Sequence, residues 1–129
     1  MTNSARFSDG GGWEKAAGYS RGARFGDHIA ISGTTAHAPD GVMFVGDLYG
    51  QTKECLLRAI RAVEALGGSK SSIIRTRLFL APGVDWEAAG RAHQEIMGEV
   101  APANTTLFVH SFVGPDFLVE VEVEAVALS

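Results

Sequence analysis

Residues 118–127 read Leu-Val-Glu-Val-Glu-Val-Glu-Ala-Val-Ala, a period-two alternation that a β-strand turns into two unlike faces. Val119, Val121, Val123, Ala125 and Ala127 fall on one side. Glu120, Glu122 and Glu124 fall on the other, spaced by about 7 Å. An apolar strand face needs a cover, and two upstream segments have the pattern to supply it. From Asp47 to Leu66 the residues Leu48, Cys55, Leu56, Ala59, Ile60, Val63 and Leu66 recur at helical steps, with Asp47 to cap the start and Gly67-Gly68 to end it. Asp85 opens a second helix to about Val100, with Trp86, Ala89, His93, Ile96, Met97 and Val100 on one face.

The remaining segments read as strands and turns. Ile73 to Leu80 is rich in β-formers and is broken off by Pro82-Gly83, and Thr105 to Val113 leads to the last strand through Gly114-Pro115-Asp116. Residues 20–35, SRGARFGDHIAISGTT, predict a hairpin turning at Gly26-Asp27. Residues 1–17, rich in Gly and Ser, predict extended or loop structure, with Trp13 as the one residue large enough to anchor it. The expected order is β-β-α-β-α-β-β over a single domain, residues 1–129. The fold class is α+β, a mixed sheet with both helices on one face.

Composition narrows the function. A chain of 129 residues with 46% hydrophobic content has room for one core. Its 15 Asp plus Glu against 11 scattered Lys plus Arg, net charge −4, lack the basic stripe of a nucleic-acid binder. No apolar run is long enough to cross a bilayer and the first twenty residues lack the middle of a signal peptide, so a cytoplasmic protein with no membrane partner is expected. Cys55 is the one cysteine and sits mid-helix, which speaks against a disulfide and against thiol catalysis. With no internal disulfide expected, Asn104-Thr105-Thr106 reads as part of a fold rather than as a glycosylation sequon. No His and carboxylate pair has metal-ligand spacing, and Gly10-Gly11-Gly12 neither follows a strand nor opens a helix as a phosphate loop does.

The succession of Gly18-Tyr19-Ser20-Arg21, Ile31-Ser32-Gly33, Gly46-Asp47 with Gln51, Arg75-Thr76-Arg77, Pro102-Ala103 and Val121-Glu122-Val123-Glu124-Ala125 resembles the Rid family, also called YjgF/YER057c/UK114. The resemblance covers most of the chain from Tyr19 onward. It implies a chorismate-mutase-like homotrimer around a central barrel, with helices outside and three ligand clefts between subunits. In the deaminase branch those clefts hold a reactive 2-imino or enamine acid, which water hydrolyses to a 2-keto acid and ammonia, with no metal or organic cofactor.

Carried over position by position, the resemblance implies that Tyr19 lines the cleft. Ser32 and Gly33 would form a small-residue strand end that the ligand approaches, and Glu122 would hold or activate the water. The imine deaminases carry an arginine after Pro-Ala to pair with the substrate carboxylate, and here Asn104 stands at that place. Asn offers no bidentate ion pair, so a changed substrate is expected, with Arg21 a candidate substitute cation. Each residue also has a structural reading. The three glutamates could form a solvated face paired to Arg75 or Arg77, Tyr19 could be a packing aromatic, and His93 and His110 satisfied core or interface histidines. Two functions remain open on sequence: an imine or enamine hydrolase, in which partial burial and like-charged neighbours raise the Glu122 pKa, or a non-catalytic trimer that binds a small ligand or a protein.

Overall fold

In the computed structural model, which describes residues 4–128, the chain begins with β1 (Ser4–Phe7), α1 (Gly12–Ala17), β2 (Gly22–Phe25) and β3 (His28–Thr34). A two-residue-per-strand hairpin, β4 (His37–Ala38) and β5 (Gly41–Val42), precedes α2 (Leu48–Ala65). A 3-10 turn at Lys70–Ser72 leads into β6 (Ile73–Leu80), α3 (Trp86–Met97), β7 (Ala103–Phe108) and β8 (Val119–Val126). The six-stranded sheet has the order β1-β2-β3-β8-β6-β7. All its pairs are antiparallel except β6 with β7, which α3 joins as a parallel crossover.

β8 sits between β3 and β6, and its burial alternates residue by residue as the sequence pattern requires. Val119, Val121, Val123 and Ala125 are buried among Ile29, Ile31, Leu78 and Leu80 of the neighbouring strands and Cys55, Leu56, Ala59 and Val63 of α2. Asp47 caps α2 by accepting from the Gly50 N–H at 2.9 Å, and Asp85 caps α3 by accepting from the Glu87 N–H at 3.0 Å. Gly26 takes φ 61 at the turn between β2 and β3, the left-handed conformation that the first position of such a turn demands. Arg24 ties this hairpin to two other elements. Its guanidinium donates to the carbonyls of Gly26 at 2.8 Å, Leu66 at the end of α2 at 2.8 Å, and Ala127 at 2.9 Å.

Four expectations are corrected. The described part of the segment 1–17 is extended or irregular only as far as Gly11: β1 pairs with β2, and then α1 runs until Gly18 ends it with φ 79. Its anchor is Glu14, which is buried, while Trp13 is 60% exposed. The strand expected over 105–113 stops at Phe108, because β6, its only ladder partner, ends at Leu80 directly opposite. Trp86, placed on the apolar face of α3, is instead exposed and lies along its own helix over Gly90, leaving Ala89, Ala92 and Met97 as the buried positions.

Gln51 is buried inside α2 and holds two loops at once. Its amide donates to the carbonyls of Phe44 at 3.2 Å and Asp116 at 3.0 Å, and its Oε1 accepts from the Leu118 N–H at 2.9 Å. Gln51→Leu keeps the volume but strands three backbone groups, a loss of about 1 to 3 kcal/mol. Urea denaturation is expected to show that loss, together with faster hydrogen exchange at the Leu118 amide.

Candidate functional site

The turn that ends α1 sets Tyr19 beside the start of β2, where the Tyr19 N–H donates to the Glu14 carbonyl at 3.0 Å. Next to it, the Arg21 guanidinium lies 5.8 Å from the centroid of the Tyr19 ring. Nη1 of Arg21 donates to the Gly33 carbonyl at 2.9 Å and to Thr34 Oγ1 at 3.2 Å, while Nε faces a Glu14 carboxylate oxygen at 3.6 Å. The other Glu14 oxygen accepts from Ser8 Oγ at 2.6 Å. Arg21 is therefore engaged in the fold through Nη1 and Nε. It fixes β3 where the strand bulges, and its charge is answered by Glu14.

Tyr19, Arg21 and Gly33 line one cleft of about 370 Å³, walled by Trp13 of α1 and Phe117 of the loop before β8. Three carboxyls line that cleft, Asp9, Glu14 and Glu120, and Glu120 is the one that comes from the central strand β8. A Cβ on Gly33 would come within 2.1 Å of Glu120 Oε2, so the glycine makes the space that the carboxyl occupies. Among the described residues Glu120 has no ion-pair or hydrogen-bond partner. Burial and then the charge of Glu122 push its pKa up, against a smaller opposing pull from Arg21.

The other candidates lie elsewhere. Ser32 opens on a neighbouring groove that Tyr19 also borders, and its hydroxyl is held by the Ser20 carbonyl at 2.7 Å. Glu122 projects from the open face of the sheet beside Arg77, 3.6 Å from Nη1. Asn104 sits across from Thr76 and shares its face, the helix side: its amide donates to Thr76 Oγ1 at 3.0 Å. Thr106 Oγ1 donates to Asn104 Oδ1 at 2.9 Å, and Thr76 Oγ1 also meets His93 Nε2 at 2.8 Å. Because Thr76 faces the helices and Arg77 the open side, Asn104 and Glu122 stand on opposite faces of one protomer's sheet. His93 is half-buried, and burial lowers its pKa. His110 is exposed on the protomer, contrary to the core reading. Cys55 is fully buried, and burial, partly offset by Arg58, pushes its thiol up to about 12, so it is held as the neutral thiol.

Residues 13–127 match the protein family described as Endoribonuclease L-PSP. The chain belongs to this family, Rid or YjgF/YER057c/UK114. An uncharacterised protein of Streptomyces coelicolor is 41% identical over 127 residues, 97% of this chain and 95% of that one. A RutC family protein of Pyrococcus horikoshii is 29% identical over 105 residues, 81% of this chain and 82% of that protein. Among solved structures, Rv2704 of Mycobacterium tuberculosis, a YjgF/YER057c/UK114 family member, is 29% identical and superposes with a TM-score of 0.86 over 96% of this chain and 99% of its own. The YjgF gene product of E. coli, 23% identical, shares the fold with a TM-score of 0.75 over 95% of this chain and 92% of that one.

In this Rid chain the residue that sequence reading passed over is Glu120. The signal lay in its partner across the ladder: Glu124 pairs with Arg75 and Glu122 with Arg77, but Glu120 pairs with Phe79. A carboxyl whose folded-state pKa is raised stabilises the fold only while protonated. That contribution is complete below the ordinary value of 4.5 and is lost as pH rises through the raised value. The neutral isostere Glu120→Gln is therefore expected to match wild type in melting temperature near pH 4 and to exceed it at pH 7. Equal differences at both pH values would contradict the unpaired, desolvated carboxyl.

Proposed function

We propose that the protein is a metal-independent hydrolase of the Rid type, releasing ammonia from a small imine or enamine whose structure differs from the 2-imino acids of the arginine-bearing members. The observation that carries this reading is the gathering of Tyr19, Arg21 and Gly33 around one cleft with a carboxyl in its wall. Family membership supports a small-molecule-processing role. Hydrolysis of a C=N bond adds the oxygen of one water to carbon and sends the nitrogen off as ammonia. The chemistry needs a group to take a proton from water and a donor to hold the nitrogen, and carboxyls serve both purposes.

In this reading the protein acts as a cytoplasmic homotrimer. The open face of the sheet supports the trimer, since besides the Glu122 to Arg77 pair it exposes Phe25 and Leu107. Closure by neighbouring subunits would desolvate Glu122 and bring it to a water at the rim of a partner's cleft. The ribonuclease description of the family is not carried to this chain: net charge −4 and three glutamates along one strand face repel a phosphate backbone. The non-catalytic alternative draws on one feature, the Asn104 amide engaged with Thr76.

Loss of an Arg to carboxylate pair in a partly desolvated cleft costs on the order of 2 to 5 kcal/mol, about 30-fold or more in affinity. With a 2-imino acid generated from an amino acid by an oxidase, wild type is expected to release ammonia slowly. Asn104→Arg is expected to raise kcat/KM by about 30-fold, and adding Glu122→Gln to that variant to abolish the gain. Fast wild-type turnover of the 2-imino acid would remove the altered-substrate reading. Inactivity of both wild type and Asn104→Arg towards every imine and enamine offered would leave the binding-module alternative.

A further inference from the structure

The cleft has an electrostatic imbalance that bears on what it binds. Its lining includes two cationic candidates, Arg21 and His37, and three carboxyls, Asp9, Glu14 and Glu120. Arg21 is answered by Glu14 and by the carbonyl of Gly33, while His37 Nδ1 faces the guanidinium of Arg58 at 3.3 Å. Asp9 accepts from the Gly11 N–H at 3.2 Å. Glu120 is left without a partner, in a site otherwise walled by Trp13, Tyr19, Phe112 and Phe117. Such a cleft, with three carboxyls to one guanidinium, disfavours an anion.

We infer that Glu120 determines the specificity of this cleft by taking the nitrogen end of the ligand, an ammonium, iminium or N–H group on a small apolar or aromatic body with no free carboxylate beside it. The inference rests on reading the cleft as the substrate site, and it deepens that reading by giving the substrate class. It joins two otherwise separate features. Asn104 stands where the imine deaminases hold the carboxylate with arginine, and one outward position of β8 before Glu122 a carboxylate enters the cleft. For a protonated imine the balance is one iminium and one water giving one carbonyl compound and one ammonium ion. Glu120 holds the positive charge that makes the carbon electrophilic.

The probes are benzylamine, benzyl alcohol and benzoate, which share a ring and differ in charge, titrated at neutral pH by amide chemical shifts. Benzylamine is expected to move the amides of Tyr19, Gly33 and Glu120 and to bind at least about tenfold more tightly than benzoate. Glu120→Gln is expected to weaken benzylamine by about tenfold and to erase its advantage over benzyl alcohol. Glu64→Gln, the same charge change on the exposed face of α2, serves as the control and is expected to leave binding as it is. Benzoate binding as tightly as benzylamine, or benzylamine affinity unmoved by Glu120→Gln but lost in Glu122→Gln, would overturn the assignment. Binding needs no turnover, so a failure to hydrolyse imines leaves this result readable. Conversely, a cleft that prefers benzoate is compatible with hydrolysis of a carboxylate-bearing imine.

Discussion

Everything in this fold is arranged around the burial of one face of β8. Because that strand is central, its valines must be covered from above by α2 and flanked by the apolar positions of β3 and β6, and this fixes the register of both neighbours. The same register hands each glutamate on the opposite face a different neighbour. Glu124 meets Arg77 at 2.9 Å, His28 at 3.4 Å and Arg75 at 4.0 Å. Glu122 shares Arg77 at 3.6 Å, and Glu120 lies across from Phe79. Three chemically identical side chains thus run from fully compensated to uncompensated along one strand. The uncompensated one is at the end where β3 bulges and the cleft opens.

That gradient marks the boundary of what the sequence could tell. The alternation of β8, the caps Asp47 and Asp85 and the turn at Gly26-Asp27 are local signals, and each element they announce is present with bounds close to those read. What depends on pairing between distant strands was not legible. Thr105 to Val113 carries strand-forming residues throughout, yet it is strand only as long as β6 is there to receive it. Glu120 and Glu122 are indistinguishable by period, and only the residue across the ladder separates them. Asn104 and Glu122 fall on opposite faces of the sheet through a chain of register, Asn104 to Thr76 and Glu122 to Arg77, that no motif encodes. The helix of α1 was hidden for a different reason: its anchor is a buried charge, Glu14, held by Ser8 and Arg21 rather than by an apolar stripe.

The polar residues near the cleft divide into those that build it and the one that remains unengaged. Arg21 braces β3 against α1, Gln51 pins the loop that carries Phe117, and Thr76 joins α3 to the edge strand through His93 and Asn104. Their hydrogen bonds are satisfied within the protomer, so the cleft walls are held before any ligand arrives, which lowers the ordering cost of binding. Glu120 is the exception. A carboxyl left half-buried beside a like charge costs the fold stability at neutral pH, and a residue of that kind is kept in place by its neighbours rather than by its own interactions. Gly33 supplies the room, since any larger residue there would force the carboxyl out of its position. The unpaired carboxyl and the cavity cut for it occupy the same few ångströms, and a ligand that brings a positive charge there gives Glu120 the partner that the protomer does not.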